Sequence, residues 1–375
     1  MKKYIWIGAI VLIIILAGVW VAGFFRGGEK GSSSGGAVGI PDKVLNNKFG
    51  FLAGGEPENP FVGNAGAGWV RPHPGPFLWD AMQSGKDKEI SFAKTDEIVK
   101  NQQKQNYGTL ATLWPFAEWD QAGLARCAVS QQDEFLARND QKGHGDYLPL
   151  HRCNPVDWDS YSKWVAAVVE RYDGDGQNDM LGLKIPIKYW EVMNEPDLAS
   201  GFEDSRLNFY KDDAASYAKL LVETAKAIRG ADSSAKILIA GAAGADDRFM
   251  NFYKTVLANQ EVAASFDIGN IHCISNERGT HDFNVGAYKK LLQSFNLDKP
   301  IWVTEAEAFN GQTAEENFEL TKQSVAGAIA AGAERIFFTR FNFDDFRTDM
   351  SVKNEVSEQS IKDSEQKYQA ITSGY

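Results

Sequence analysis

Short apolar segments alternate with amphipathic segments along the chain from Pro41 onward. Eight of the short segments have the length and apolar content of buried strands. They are Lys48–Ala53, Gly68–His73, Tyr107–Leu113, Ile187–Val192, Lys236–Ala240, Phe266–Ile271, Pro300–Thr304 and Arg335–Thr339. Helical spacing of apolar residues is clearest in Thr95–Gln105, Trp158–Tyr172, Asp213–Ile228, Arg248–Ala258, Val285–Phe295 and Ala314–Ala331. This alternation predicts parallel strands joined by crossover helices.

Two α/β architectures fit such an alternation. Residues 41–375 suit one (β/α)8 TIM barrel with loop insertions. The alternative, a doubly wound open sheet, favours a glycine-rich phosphate loop after its first strand. The sequence has neither a G-x-G-x-x-G motif nor a Walker motif, so we predict a single barrel.

The first 40 residues have a different composition. No charge occurs from Tyr4 to Phe25, and a helix of that length spans the hydrocarbon core of a bilayer. A cleaved signal peptide is the alternative, but the apolar run is long for one and no clear cleavage site closes it. Residues 1–25 therefore predict a transmembrane signal-anchor, and the Gly- and Ser-rich residues 26–40 predict a flexible linker. We expect a single-pass protein of the cell membrane, with residues 41–375 on the extracytoplasmic side.

Composition and charge narrow the range of partners. The chain is 43% hydrophobic and carries a net charge of −11, which argues against nucleic acid and against an anionic membrane surface as the main partner. Among three cysteines, Cys127 and Cys153 either form a disulfide outside the cytoplasm or remain free thiols.

Polar residues are concentrated where the predicted strands end. The carboxyl ends of barrel strands meet at one face, which holds the active site in barrel enzymes. The residues at these ends are Arg71, His73, Trp114, Asn194, Glu195, His272, Glu305 and Arg340. The opposite strand ends show nothing comparable, so the pattern favours an enzyme.

Two of these residues are glutamates, and two carboxyl groups can hydrolyse a glycoside if their pKa values differ. Strand periodicity places Ile301, Val303 and Glu305 on one face, which predicts that Glu305 points into the barrel mouth. Glu307 shares that parity and is the alternative nucleophile. Glu191 lies deeper and is interpreted as a buried structural partner, with Arg71 on the second strand as its candidate partner.

The sequence around both glutamates resembles the clan A retaining glycoside hydrolases. The resemblance rests on Asn194-Glu195-Pro196 at the end of the fourth strand and on Trp-x-Thr-Glu305 at the end of the seventh, and it spans the chain from about Lys48 to Arg340. It implies that Glu195 is the acid/base and Glu305 the nucleophile, and that no cofactor is required. Retention predicts that the two carboxyl groups lie about 5–5.5 Å apart.

The resemblance also implies substrate-binding residues. Asn194 would bind the hydroxyl next to the reacting carbon, Arg71 would keep the nucleophile ionised, and His272 would line the subsite. His272 as a core histidine remains open. Trp119 is interpreted as a sugar platform, whereas Trp114 is interpreted as a core residue.

Two further features have an alternative structural interpretation. Arg340 either binds substrate or closes the barrel with an ion pair. Asp173, Asp175 and Asp179 are spaced as in a calcium loop, but the segment departs from the full EF-hand pattern. A polar turn without metal is favoured there.

Together these patterns predict a retaining glycoside hydrolase that cleaves β-linked glycosides or polysaccharides at the cell surface. Two alternatives are a non-catalytic carbohydrate-binding protein and an envelope scaffold protein built on the same barrel. The intact pair of glutamates disfavours the first, and the polar strand ends would be unexplained in the second.

Overall fold

The computed structural model describes residues 36–53, 60–73, 75–129, 148–198, 208–274, 279–343 and 357–375. The predicted signal-anchor, residues 1–25, and most of the predicted linker lie outside these ranges. Within them, no helix combines the length and the apolar character needed to cross a membrane.

Eight parallel strands form the sheet, and all eight overlap the predicted segments. They are β1 Phe49–Phe51, β2 Trp69–Val70, β3 Gly108–Leu113, β4 Tyr189–Val192, β5 Lys236–Ile239, β6 Gly269–Cys273, β7 Ile301–Ala306 and β8 Ala333–Phe338. Their order is β5-β4-β3-β2-β1-β8-β7-β6. Parallel bridges from Leu238 to Ile268 and from Ala242 to Ile271 join β5 to β6 and close the sheet. The predicted (β/α)8 barrel is therefore confirmed.

Helices follow most strands, and the six predicted helices are all present. The helices are α1 Asp42–Leu45, α2 Phe61–Asn64, α3 Trp79–Met82, α4 Ala93–Lys104, α5 Glu118–Gln121, α6 Trp158–Tyr172, α7 Ala214–Ala231, α8 Asp247–Leu257, α9 Val262–Ser265, α10 Val285–Ser294, α11 Ala314–Ala331 and α12 Glu358–Thr372, with a 3-10 turn at Ala125–Cys127. Helix α12 was not predicted because most of its residues are polar. Its buried residues Ser364, Tyr368 and Ile371 nevertheless follow helical spacing.

Aromatic side chains fill the lower part of the barrel interior. Across the barrel, the ring centroids of Trp302 on β7 and Trp69 on β2 lie 6.0 Å apart. The Arg335 guanidinium lies over both rings, at 4.1 Å and 4.3 Å from their centroids. Trp302 therefore faces inward. Its neighbours Ile301 and Val303 belong instead to the large core between sheet and helices, so the predicted inward face of β7 is wrong.

The end of the predicted linker packs against the lower face of the barrel, where the strands begin. The Val38 amide donates to the Gly174 carbonyl at 2.8 Å, and Ile40 packs against the aromatic cluster of the interior. The linker predicted as residues 26–40 therefore ends earlier than predicted, and residues 36–375 form one compact unit.

A disulfide joins Cys127 to Cys153, with 5.3 Å between their Cα atoms. An antiparallel bridge between Ala128 and His151 lies beside it. Residues 130–147, between the two cysteines, lie outside the described ranges. The open question of whether these cysteines are bridged is thus resolved in favour of the disulfide, and the loop segments after β3 are held together by it.

Candidate active site

Glu195 lies just beyond β4 in an unusual backbone conformation. Met193 has φ of 70° and Glu195 has φ of 40°, in the left-handed region that non-glycine residues seldom adopt. Such conformations cost on the order of 1–3 kcal/mol and are concentrated at functional sites. The turn ends the strand abruptly and buries the Glu195 carboxyl group in the barrel mouth.

Glu305 reaches the same mouth because β7 contains a bulge. Val303 pairs with Ile271 and Glu305 pairs with His272, so Thr304 is an extra residue relative to β6. Thr304 and Glu305 consequently both contact interior groups, although adjacent strand residues normally point to opposite faces. The predicted position of Glu305 in the mouth is observed, but the bulge, and not the predicted alternation, places it there.

Arg71, at the end of β2, holds several of the predicted residues together. Its Nη1 donates to Glu305 Oε1 at 2.8 Å and its Nη2 donates to Asn194 Oδ1 at 2.6 Å. Its Nε donates to Glu191 Oε2 at 2.9 Å, so the predicted role of Glu191 as a structural partner of Arg71 is confirmed. Burial alone would lower the pKa of Arg71, but the charges of Glu191 and Glu305 outweigh it and raise that pKa. The guanidinium is therefore a permanent cation in the site.

The two glutamate carboxyl groups are close and differ in their partners. Oxygens of Glu195 and Glu305, and a ring nitrogen of His272, all lie within 4.8 Å of one another. Burial raises the pKa of Glu195 to about 7, with the charge of Glu191 adding to the rise and Arg71 opposing it. Burial also raises the pKa of Glu305, which bonds directly to Arg71. The geometry thus favours a proton on Glu195 and an ionised Glu305.

His272, at the end of β6, is wholly buried beside both carboxyl groups. Its Nδ1 lies 2.7 Å from Glu195 Oε1 and 3.7 Å from Glu305 Oε1. Its Nε2 lies 2.8 Å from Thr304 Oγ1. Burial lowers the pKa of His272 to about 4, so the ring is neutral at ordinary pH.

Asn194 is positioned between the arginine and the mouth of the barrel. Its Oδ1 accepts from Arg71, and its side chain also bonds to the Glu195 carboxyl group, which opposes the rise of that pKa. The role that the resemblance implies for Asn194, binding the hydroxyl next to the reacting carbon, stays a prediction.

Two predicted substrate-binding residues have structural partners elsewhere. Trp119 donates its indole N–H to the Gln83 carbonyl at 2.8 Å and packs edge-on against Trp79, with 4.9 Å between ring centroids. Arg340 forms an ion pair with Glu307, from Nε to Oε1 at 2.6 Å. Glu307, the alternative nucleophile, also accepts from Thr339 Oγ1. Both of these partners directly follow β8.

His73, which lies beside Glu305, and Phe209, which packs against His73, were not predicted as substrate-binding. His73 Nδ1 lies 4.0 Å from Glu305 Oε1, and the ring is 5.9 Å from that of Trp114 and 6.1 Å from that of Phe209. Trp114 is wholly buried, as predicted for a core residue. The sequence signal for His73 was its place at the end of β2. Phe209 lies on an irregular loop and had no comparable signal.

The segment with the spacing of a calcium loop forms a tight polar turn at the opposite end of the barrel. Carboxylate oxygens of Asp173, Asp175 and Asp179 lie within 4.8 Å of one another, which would allow them to share a cation. Asp179 accepts from the Gly174 and Gly176 amides, and Asp173 accepts from the Asp175 amide. These bonds stabilise the turn through the protein's own groups.

Comparison with known proteins identifies the family of the chain. A model of the glycosyl hydrolase catalytic core matches residues 145–368, which is more than half of the chain. No curated protein sequence matches the chain.

Several solved structures share its fold at low sequence identity. A glucosidase from Croceicoccus marinus is 14% identical with a TM-score of 0.58, over 91% of this chain and 69% of that one. A monomeric β-xylosidase from Caulobacter crescentus is 16% identical with a TM-score of 0.58, over 89% and 69%. An endo-1,4-β-mannanase from Rhizomucor miehei is 14% identical with a TM-score of 0.53, over 87% and 95%. At such identities the likeness concerns the barrel fold.

Proposed function

The chain belongs to the glycosyl hydrolase catalytic core family and is a glycoside hydrolase, and we propose that it cleaves β-linked glycosides with retention of configuration. The resemblance to clan A (β/α)8-barrel glycoside hydrolases predicted from the strand ends is thereby confirmed. One observation carries the finer proposal. Glu195 and Glu305 are buried close together, and the Arg71 guanidinium bonds directly to Glu305.

In the first step, a Glu305 carboxylate oxygen bonds to the anomeric carbon while the glycosidic C–O bond breaks. Glu195 gives its proton to the departing oxygen, which leaves as an alcohol. In the second step, water attacks the same carbon, Glu195 takes the water proton, and the ester bond to Glu305 breaks. Two inversions leave the configuration unchanged.

The separation of the carboxyl groups favours this double displacement. Retaining enzymes hold the two groups about 5–5.5 Å apart, whereas inverting enzymes leave about 6.5–9.5 Å for a water molecule. Oxygens within 4.8 Å of each other leave little room for that water between Glu195 and Glu305. The bond from Arg71 favours the charged form of Glu305 that attacks, and burial favours the protonated form of Glu195 that donates.

The structural neighbours suggest which bonds to try first. Those named above include a glucosidase, a β-xylosidase and an endo-β-mannanase. Aryl β-glucosides, aryl β-xylosides and β-1,4-mannan are therefore reasonable starting substrates for this chain.

We also propose that the enzyme acts at the cell surface. The uncharged run from Tyr4 to Phe25 has the length of a membrane span, and the disulfide between Cys127 and Cys153 suits an oxidising compartment. Together they favour a single-pass anchor with the barrel outside the cytoplasm. Fractionation of cells, with protease added to intact cells, tests this location.

Chemical rescue tests the two catalytic roles. Glu195→Ala should lose most activity on substrates with poor leaving groups but still react with activated aryl β-glycosides. Azide, which needs no general base, should then accelerate turnover and give a β-glycosyl azide. Glu305→Ala should lose turnover of every substrate, and azide in place of the nucleophile should give the α-glycosyl azide.

Glu307→Ala is the matched control, because Glu307 is the neighbouring buried carboxylate on the same strand end. It should retain turnover without azide. The assignment is wrong if Glu307→Ala needs azide and Glu305→Ala does not, or if both proposed catalytic variants keep wild-type rates.

A further inference from the structure

Behind the two glutamates, a chain of buried polar groups crosses the barrel from β4 to β6 and β7. Asn270 Nδ2 donates to Glu191 Oε1 at 2.6 Å. Thr304 Oγ1 donates to Asn270 Oδ1 at 2.8 Å. His272 Nε2 lies 2.8 Å from the same Thr304 oxygen, and His272 Nδ1 lies 2.7 Å from Glu195 Oε1. Asn270, Thr304 and His272, which link Glu191 to Glu195, are all buried.

The direction of these bonds follows from the carboxylate at the far end. The two oxygens of Glu191 accept from Arg71, Thr112 and Asn270, as expected of a carboxylate. Because the amide nitrogen of Asn270 faces Glu191, its oxygen must face Thr304. The Thr304 hydroxyl has one hydrogen, and it points to that amide oxygen or to the nearby Glu191 oxygen at 3.3 Å.

The Thr304 oxygen therefore offers His272 lone pairs and no hydrogen. His272 Nε2 must carry the proton, since two lone pairs 2.8 Å apart would repel each other. A neutral imidazole has one N–H, so Nδ1 is a bare acceptor. The contact at 2.7 Å between Nδ1 and Glu195 Oε1 is then a hydrogen bond donated by the protonated carboxyl group of Glu195.

We propose that Thr304 and Asn270 are positioning residues for the acid/base: they fix His272 as the Nε2–H tautomer, and its bare Nδ1 holds the Glu195 proton in place for donation. This proposal rests on the proposed function, because it assumes that Glu195 is the acid. It also accounts for the second step. Once Glu195 has lost its proton, its carboxylate faces a nitrogen lone pair, which makes it a stronger base toward water.

The surroundings of His272 prevent the ring from turning away. A Cβ built on Gly241, at the end of β5, would lie 2.0 Å from His272 Nε2, so glycine is needed where the ring packs. Asn284 Nδ2 donates to the His272 carbonyl at 2.9 Å. The charged and titratable groups that face the ring are Glu195, Glu305, Arg71, Glu191 and His73.

Removal of the Thr304 hydroxyl tests the proposal by kinetics. In Thr304→Val the Nε2–H loses its acceptor, so the Nδ1–H tautomer, which donates to ionised Glu195, becomes favoured. The alkaline limb of kcat/KM should then move to lower pH by about one unit, and substrates with poor leaving groups should lose about tenfold. Activated aryl glycosides, which need little protonation, should lose no more than about twofold at their pH optimum.

Two variants accompany it. Thr304→Ser keeps the hydroxyl and should restore the wild-type alkaline limb. Thr224→Val removes a buried hydroxyl that bonds to Tyr161 Oη at 2.9 Å, away from the glutamates, and should leave the pH profile unchanged. Equal losses on both classes of substrate, with an unmoved alkaline limb in Thr304→Val, would overturn the proposal.

The tautomer can also be observed directly in the wild-type protein, which needs no variant to fold. Long-range ¹H–¹⁵N spectra distinguish a protonated from a bare ring nitrogen, and the His272→Asn spectrum assigns the ring among the five histidines. A bare Nδ1 supports the proposal, and a protonated Nδ1 overturns it. The NMR measurement does not depend on turnover. It therefore tests the tautomer of His272 separately from the azide experiment, which tests the catalytic roles of Glu195 and Glu305.

Discussion

The buried carboxyl group of Glu195 should make the protein's stability depend on pH in a way that one substitution removes. Glu195 has its usual pKa of 4.5 when the chain is unfolded, and burial raises the pKa to about 7 in the folded protein. Between these values the folded protein holds a proton that the unfolded chain releases. The resulting stability is fully present below about pH 4.5 and is lost as the pH rises through about 7.

The size of this effect follows from the shift. The difference between 4.5 and about 7, at about 1.36 kcal/mol per pKa unit, corresponds to about 3 kcal/mol in the free energy of unfolding. Glu195→Gln cannot ionise, and its amide N–H can still donate to His272 Nδ1. The variant should therefore lack this loss of stability, and at pH 8 it should be more stable relative to wild type, by about 3 kcal/mol, than it is at pH 4.

Chemical denaturation followed by tryptophan fluorescence, at pH values from 4 to 8, measures both proteins under identical conditions. The difference between the two curves cancels the titration of groups that both proteins share. Glu97→Gln, which removes an exposed carboxylate on α4, is the control and should run parallel to wild type. Parallel curves for Glu195→Gln and wild type would refute the reasoning, because Glu195 would then titrate normally and would be a poor acid near neutral pH.

Three further predictions concern the scaffold. Replacing Cys127 and Cys153 by serine should lower the free energy of unfolding by about 3 kcal/mol, because the bridge closes a long loop (sequence separation 26); equal denaturation midpoints with and without reductant would contradict this. Gly241→Ala should cost about 1–3 kcal/mol and most of the activity, since its methyl group would overlap the adjacent imidazole; wild-type kcat/KM would contradict it. A chain starting at Gly36 should have a free energy of unfolding about 1–3 kcal/mol higher than one starting at Pro41, because only the longer chain keeps the contacts of Val38 and Ile40 with the barrel. Thermal denaturation of the two chains measures the difference, and equal midpoints would contradict the prediction.

The barrel could be predicted from the sequence because its signals are local. Each strand is a short apolar run, and most helices repeat apolar residues with one period, so neighbouring residues carry the pattern. Helix α12 was not predicted because few of its residues are apolar, although Tyr368 and Ile371 on its inner face are buried. The two glutamates in the barrel mouth could be located for a similar reason. Glu195 follows β4 and Glu305 lies near the end of β7, and parallel strands bring their carboxyl ends to one face.

The role of each side chain in the mouth depended on contacts that the sequence does not display. Trp119 follows a strand and is aromatic, which suits a sugar platform, but Trp79 and the Gln83 carbonyl hold it. Arg340 has the charge to bind substrate, but it pairs with Glu307. In both cases the competing partner comes from an element elsewhere in the chain. Residue type alone could not choose between binding a ligand and binding that partner.

The sequence by itself determined the fold class, the face that holds the chemistry and the two glutamates near its centre, because strand ends and short motifs are properties of neighbouring residues. Only the tertiary structure decided how Glu305 reaches the mouth and which buried groups contact Glu195. The bulge at Thr304 reverses the alternation of β7, and it arises where β7 pairs with β6. The hydrogen bonds from Glu191 to His272 join three strands. Both depend on the distances between strands that closure of the barrel sets.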